Sequence, residues 1–181
     1  MGRASIPTFI LALAAAVAVA GVATRAATPQ PAPVSGCINQ TITNGMWSLT
    51  VTKAILGVEP GYDIAAWGIT FTLANPQKKS ATPGDTGVGE PQVALKDGTK
   101  LDMWTDSEID YGRAITYTEF KPGTKVSGSY WFRTSGAAPA VAFILPVSAT
   151  NAIYASSLGY AMKNPSLSVD LTCNKSASPS P

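Results

Sequence analysis

At 181 residues, 45% of them hydrophobic, the chain is long enough for one domain with a continuous core once its tails are set aside. Arg3 and Arg25 fall in a leading segment that reads as removable, which leaves eleven basic residues against eleven acidic ones. The remainder is near neutral and has no basic excess to suggest nucleic acid or an anionic membrane as partner. The chain has no histidine, which excludes a Ser-His-Asp triad, a Cys-His dyad and any histidine-ligated zinc or haem site.

Residues 1–26 have the layout of an export signal: Met1 and Arg3 at the start, an apolar run from Phe9 to Ala23, and small residues at Ala20, Ala23 and Ala26. The run is shorter than the roughly 20 residues a membrane-spanning helix needs, so cleavage and export are expected, with no span in the mature chain. Residues 27–36 read as a Pro/Ala-rich linker, and residues 175–181 as a disordered Ser/Pro tail. The globular part is then 37–174. In an exported chain its two cysteines, Cys37 and Cys173, are expected to pair; two unpaired thiols are the alternative. Val34-Ser35-Gly36-Cys37 is similar to a permissive lipoprotein cleavage site, but ten residues separate the apolar run from it, and a lipidated Cys37 would leave Cys173 without a partner.

Within 37–174 the dominant period is two, the mark of half-buried strands. Trp47, Leu49 and Val51 alternate with polar residues. Ala65, Trp67, Ile69, Phe71 and Leu73 share one face of the best candidate for a central strand, which Asn75-Pro76 ends. Pro76 to Pro91 is polar and glycine-rich and predicts a long mobile loop. Val93 and Leu95 lead into a Lys96-Asp97-Gly98 hairpin turn, and Leu101 with Met103 returns from it. Ala114 to Phe120 predicts a strand with Ile115 and Tyr117 on one face. Lys121-Pro122-Gly123 presets a tight reversal that launches a strand over Val126 to Arg133, with Val126, Gly128, Tyr130 and Phe132 facing the core. Val141 to Leu145 is apolar on both faces. Residues 148–163 fit neither period and read as a loop. Leu167, Val169, Leu171 and Cys173 alternate in the last strand. Seven to nine short strands without a convincing helix predict an immunoglobulin-like antiparallel β-sandwich.

In this order, Trp47 to Thr52, Trp67 to Asn75, Val93 to Gly98 and Phe120 to Gly123 with Gly128 and Phe132 resemble the telokin-like immunoglobulin-fold domain of bacterial secreted proteins and lipoproteins. The resemblance covers residues 44–146. It implies a sandwich in an extracytoplasmic location, periplasm or cell envelope, without enzymatic activity and with no binding residues to carry over.

Chemistry could come from three places. Asp106, Glu108 and Asp110 would point the same way in an extended segment and could hold calcium, or two carboxylates of the Asp102 to Asp110 stretch could serve a hydrolase as acid and base; a solvated acidic loop is the plain alternative. Trp104 and Trp131 lie opposite the core-facing residues of their strands, and with Tyr111 and Tyr117 could make a flat patch for a protein or a sugar, unless the 76–91 loop or residues 148–163 cover those faces. Lys78 and Lys79 give the 76–91 loop a local positive charge. Gly84, Gly87 and Gly89 lack the lysine and following helix of a phosphate loop. The expectation is a non-catalytic binding module, without a cofactor, for an unidentified protein or envelope ligand. A calcium- or carboxylate-dependent hydrolase and a structural envelope component are the alternatives.

Overall fold

Where apolar residues recur at every second position the chain forms strands, and these close into two sheets that bury the apolar positions between them. The computed structural model describes residues 32–103, 115, 117–136, 138–148 and 166–174. Its strands are β1 (Val34–Ile38), β2 (Ile42–Thr43), β3 (Ser48–Val58), β4 (Ala65–Ala74), β5 (Gln92–Leu95), β6 (Lys100–Asp102), β7 (Lys125–Arg133), β8 (Ala140–Leu145) and β9 (Leu167–Asn174). One sheet has the order β1-β9-β8-β5-β6 and the other β2-β3-β4-β7, so the expected β-sandwich is the architecture found. Among the described residues no helix is long and apolar enough to cross a membrane.

The central strand identified by pattern is central in the structure. β4 pairs antiparallel with β3 on one side and β7 on the other, and Ile69, Phe71 and Leu73 point into the core. Phe71 stacks on Tyr130 of β7 at 4.6 Å and on Phe143 of β8 at 5.7 Å, joining the two sheets through aromatic contact. Burying each such side chain stabilises the fold by about 1.5–3 kcal/mol. Trp47, fully buried, meets Phe120 edge to face at 5.3 Å. Trp67 is half-buried, and its indole N–H is out of solvent without a hydrogen-bond partner.

Both predicted turns form. In Lys121-Pro122-Gly123-Thr124 the Thr124 N–H reaches Lys121 O at 3.1 Å and Gly123 takes φ +73°, a conformation that favours glycine. At the β5–β6 hairpin Gly98 takes φ +88°, and Gly98 N–H bonds Leu95 O at 3.0 Å. Thr99 N–H bonds the Asp97 carboxylate at 2.9 Å, which holds that carboxyl below its ordinary range.

Four expectations need correction. The 76–91 segment is packed, not free. Ala81 bridges Phe120 and Val88 bridges Val147, with a 3-10 turn at Gly84–Thr86 between them. Ala81, Pro83, Thr86, Val88 and Pro91 are buried. Asn75 anchors the start: its side-chain amide donates to Lys79 O at 2.8 Å and Phe120 O at 2.9 Å, and its carbonyl oxygen accepts from Gln77 N–H at 2.9 Å. Second, Ile115 and Tyr117 have helical backbone, with Ile115 buried and Tyr117 77% exposed, so they do not share a strand face. The alternation there is too short to separate the two periods. Third, the sandwich is not wholly antiparallel, because β1 pairs parallel with β9. β1 also begins at Val34, inside the stretch read as linker. Fourth, Val126 is only half-buried, while Gly128 faces the core as expected, where a Cβ would sit 3.4 Å from Ile115 Cδ1.

Cys37 on β1 and Cys173 on β9 are disulfide-bonded, with Cα atoms 5.1 Å apart at a sequence separation of 136. The bond ties the first strand among the described residues to the last, and it leaves Cys37 no free sulfur for a thioether-linked lipid. Loop entropy alone assigns a closure of this length about 5 kcal/mol. Replacing both cysteines by alanine is expected to cost about 2–4 kcal/mol, read as a lower urea midpoint than that of the oxidised protein. A second expectation comes from the packed segment. Trp47 Nε1 donates to Thr86 Oγ1 at 2.8 Å, with both residues buried. Thr86→Val leaves that donor unpaired, and urea unfolding should show a loss of about 1–3 kcal/mol.

Candidate functional site

The outer face of the four-stranded sheet is set by the same alternation that builds the core, because each inward residue is flanked by outward ones. Between Ile69, Phe71 and Leu73, β4 turns Gly68, Thr70 and Thr72 outward. Their neighbours arrange the face in rows about 7 Å apart, two residues along each strand. In the first row Thr50, Thr72 and Ser127 stand side by side on β3, β4 and β7. Thr72 and Ser127 share a hydroxyl hydrogen bond of 2.7 Å, and Thr41 extends the row with one of 2.7 Å to Thr50. In the second, Lys53, Thr70 and Ser129 align, and the Thr70 and Ser129 hydroxyls lie 2.9 Å apart. A register shift between Val51 and Lys53 puts Lys53 rather than Thr52 beside Thr70, while the Thr52 hydroxyl bonds Thr70 O at 3.3 Å.

The third row is Ile55, Gly68 and Trp131. A Cβ at Gly68 would lie 2.8, 2.9 and 3.1 Å from Cη2, Cζ3 and Cε3 of Trp131, and one at Gly57 would lie 3.9 Å from Cζ3. Three consecutive ring atoms at nearly equal distance mean that the face of the indole, not its edge, covers Gly68. The opposite face is directed away from the sheet, and Trp131 is half-exposed. The fourth row, Gly57, Ala66 and Arg133, closes the platform. Arg133 Nε donates to Glu59 Oε2 at 2.6 Å, with Glu59 4% and Arg133 19% exposed, and the guanidinium sits 4.8 Å from the Tyr62 ring centroid. The pair neutralises both charges and fixes the β3–β4 hairpin against β7. No carboxylate stands in the four rows, and Lys53 is their one exposed charge.

The predicted site residues that fall among the described ones do not converge. Trp131 faces outward as expected. Lys78 and Lys79 are exposed but follow the far end of β4; from Gly68 to Ala74 alone is about 20 Å of strand. Trp104, Tyr111, Asp106, Glu108 and Asp110 lie outside the described residues. Asp102 is exposed and accepts from Gln92 Nε2 at 2.7 Å. Among the described residues no group of three Cys, Asp or Glu side chains could hold a metal ion. Asp170 on β9 accepts from the Thr172 hydroxyl at 2.6 Å and the Thr172 N–H at 2.7 Å, which holds its carboxyl below the ordinary range. This is a local turn, like that at Asp97, and marks no site. Sequence reasoning missed the hydroxyl rows, although Thr50, Thr70, Thr72, Ser127 and Ser129 were visible as the polar half of three alternating strands. It also missed Gly68 as the seat of Trp131 and the Glu59–Arg133 pair.

Gly68→Ala tests the seating of the indole, since its methyl would meet ring carbons closer than contact distance. Trp131 is expected to lift from the sheet and its fluorescence to shift to longer wavelength, a change that should vanish in a Trp131→Phe background.

No family model matches the sequence, and no curated protein matches it. Similarity to solved structures is clear. The secreted protein MPT63 of Mycobacterium tuberculosis shares 18% identity over 65% of this chain and 92% of its own, with a TM-score of 0.50. The YjhA protein of Bacillus subtilis shares 16% identity over 75% of this chain and 98% of its own, also with a TM-score of 0.50. At such identities the likeness establishes the fold: the chain is a β-sandwich similar to those of MPT63 and YjhA.

Proposed function

We propose that the chain is an exported, non-catalytic binding module that presents the outer face of its four-stranded sheet to an envelope ligand. The observation that carries this reading is the face itself, flat and hydroxyl-lined, with an indole laid over a glycine and one face of the ring turned outward. A rigid sheet holds these groups without ordering cost on binding, which favours recognition. Export is supported by the apolar leader and by the Cys37–Cys173 bond, since structural disulfides persist in oxidising compartments.

The test is retention of envelope material on immobilised protein. Wild type and a control with Ser168→Glu, on the other sheet, are expected to retain the same component. Thr70→Glu combined with Ser129→Glu should reduce that retention about tenfold by placing two unpaired charges on the face. Equal retention by all three would remove the reading.

A further inference from the structure

We infer that the ligand of this face is a neutral polysaccharide, laid along β4 and β7 with one sugar ring on Trp131 and its neighbours on the hydroxyl rows; this rests on the binding-module reading above. An aromatic face carries partial negative charge, and the C–H bonds on one face of a pyranose present the complementary partial positive charge over a similar area. Trp131 is placed for such a contact, because one ring face is spent on Gly68 and the other is directed outward. Gly57 also lies under the ring, and Ile55 of the same strand stands exposed beside Gly68.

The hydroxyl rows supply the polar half. In each cross-strand pair, Thr70 with Ser129 and Thr72 with Ser127, one hydroxyl donates to the other. A hydroxyl has one donor and two acceptor sites, so each pair keeps one donor and spare acceptors for an outside partner. Ser127 and Ser129 are exposed. Sugar hydroxyls both donate and accept, and they match such pairs in either orientation. The two pairs and Trp131 fall on one line along β7, every second residue from 127 to 131, about 14 Å from end to end. A linear chain of several sugars can touch all three positions.

Charge argues for a neutral ligand. The Thr and Ser rows carry no acid; Lys53 on β3 and Lys125 on β7, one row beyond Ser127, are exposed on this face but stand on separate strands two rows apart, and Arg133 is engaged with Glu59. An acidic polymer would call for a basic row, which is absent from this face. A protein partner would call for a cluster of anchors at the centre of the patch; here Trp131 and Ile55 stand in one row towards its end, and the centre has Thr and Ser. Of the exposed apolar side chains nearby, Ile55 stands in the row of Gly68 and Trp131, while Leu56, Val58 and Ile64 belong to the β3–β4 hairpin end.

The experiment is titration of the full, oxidised protein with cellohexaose, N-acetylated chitohexaose and laminarihexaose, followed by calorimetry and tryptophan fluorescence. At least one should saturate at millimolar concentration or below. Its affinity should fall at least tenfold in Trp131→Ala, with the fluorescence change absent. It should fall by a similar factor in Thr70→Val combined with Ser129→Ala, whose near-isosteric changes leave the indole and the core in place. Should Trp131→Ala fail to fold, the hydroxyl variant decides alone. Saturation by none of the three, or binding that both variants retain, overturns the inference. If the sugars fail while the glutamate variant still loses retention of an envelope protein, the face is a protein-binding surface and only the polysaccharide is wrong. If neither assay responds to the face, both readings fall together.

Discussion

The register of β4 between β3 and β7 is the constraint on which both the core and the outer face depend. With Phe71 opposite Val51 and Gly128, the inward set is Ile69, Phe71 and Leu73, and the outward set is Gly68, Thr70 and Thr72. A slip of one residue would exchange the sets, putting hydroxyls into the aromatic cluster around Phe143 and apolar groups into solvent. Burial of three large side chains outweighs by several kcal/mol any preference of the outward residues. The outer face is therefore free to carry whatever function requires. The shift at Thr52 adjusts β3 alone, and without it Ile55 would leave the row of Gly68 and Trp131.

Polar groups hold what the hydrophobic effect cannot direct. The 76–91 segment has too few apolar residues to choose one path over the sandwich by burial alone. Its path is fixed at two points: Asn75, whose amide spans from Lys79 to Phe120, and Thr86, whose hydroxyl receives the Trp47 indole and donates to Pro83 O at 2.8 Å. Asn44 does the same for the turn into β3, accepting from Met46 and Trp47 N–H. In a dry interior each of these bonds costs more to leave unmade than it contributes when formed. A segment that is glycine-rich and polar in composition is thus ordered by its buried partners.

This explains how much the sequence discloses. Period-two patterns identify β3, β4, β7 and β9, and turn chemistry identifies Asp97-Gly98 and Pro122-Gly123, because those signals are local. Cys37 and Cys173 are legible from count and compartment. Strand partners are not local: nothing near Val34 or Leu167 encodes a parallel pairing between residues 133 positions apart. The same holds for Glu59 with Arg133, 74 residues apart, and for Trp47 with Thr86, 39 apart. The short Ile115 to Tyr117 stretch satisfies two periods at once, and tertiary packing of Ile115 decides between them. For the site, alternation discloses that Trp131 points outward, but which residue of the next strand lies beneath it depends on register.

Gly68 carries the final step. In the interior of a central strand glycine is the weakest choice, costing roughly 0.5–1 kcal/mol against alanine and more against a β-branched residue. The core does not require it, since position 68 faces away from the core. The backbone does not require it either, since the glycines that take positive φ are Gly45, Gly61, Gly87, Gly98 and Gly123. What it permits is the approach of the Trp131 ring, the neighbour that a side chain at this position would strike. A strand with Thr70 and Thr72 at the equivalent outward positions would accept threonine here as well, but the indole would then stand off the sheet. The fold gives up local stability at one residue and gains a flat, outward-facing aromatic surface in line with two hydroxyl pairs. The exchange buries one face of the indole against the sheet, which recovers part of the lost stability, and leaves the other face turned outward in line with the hydroxyls.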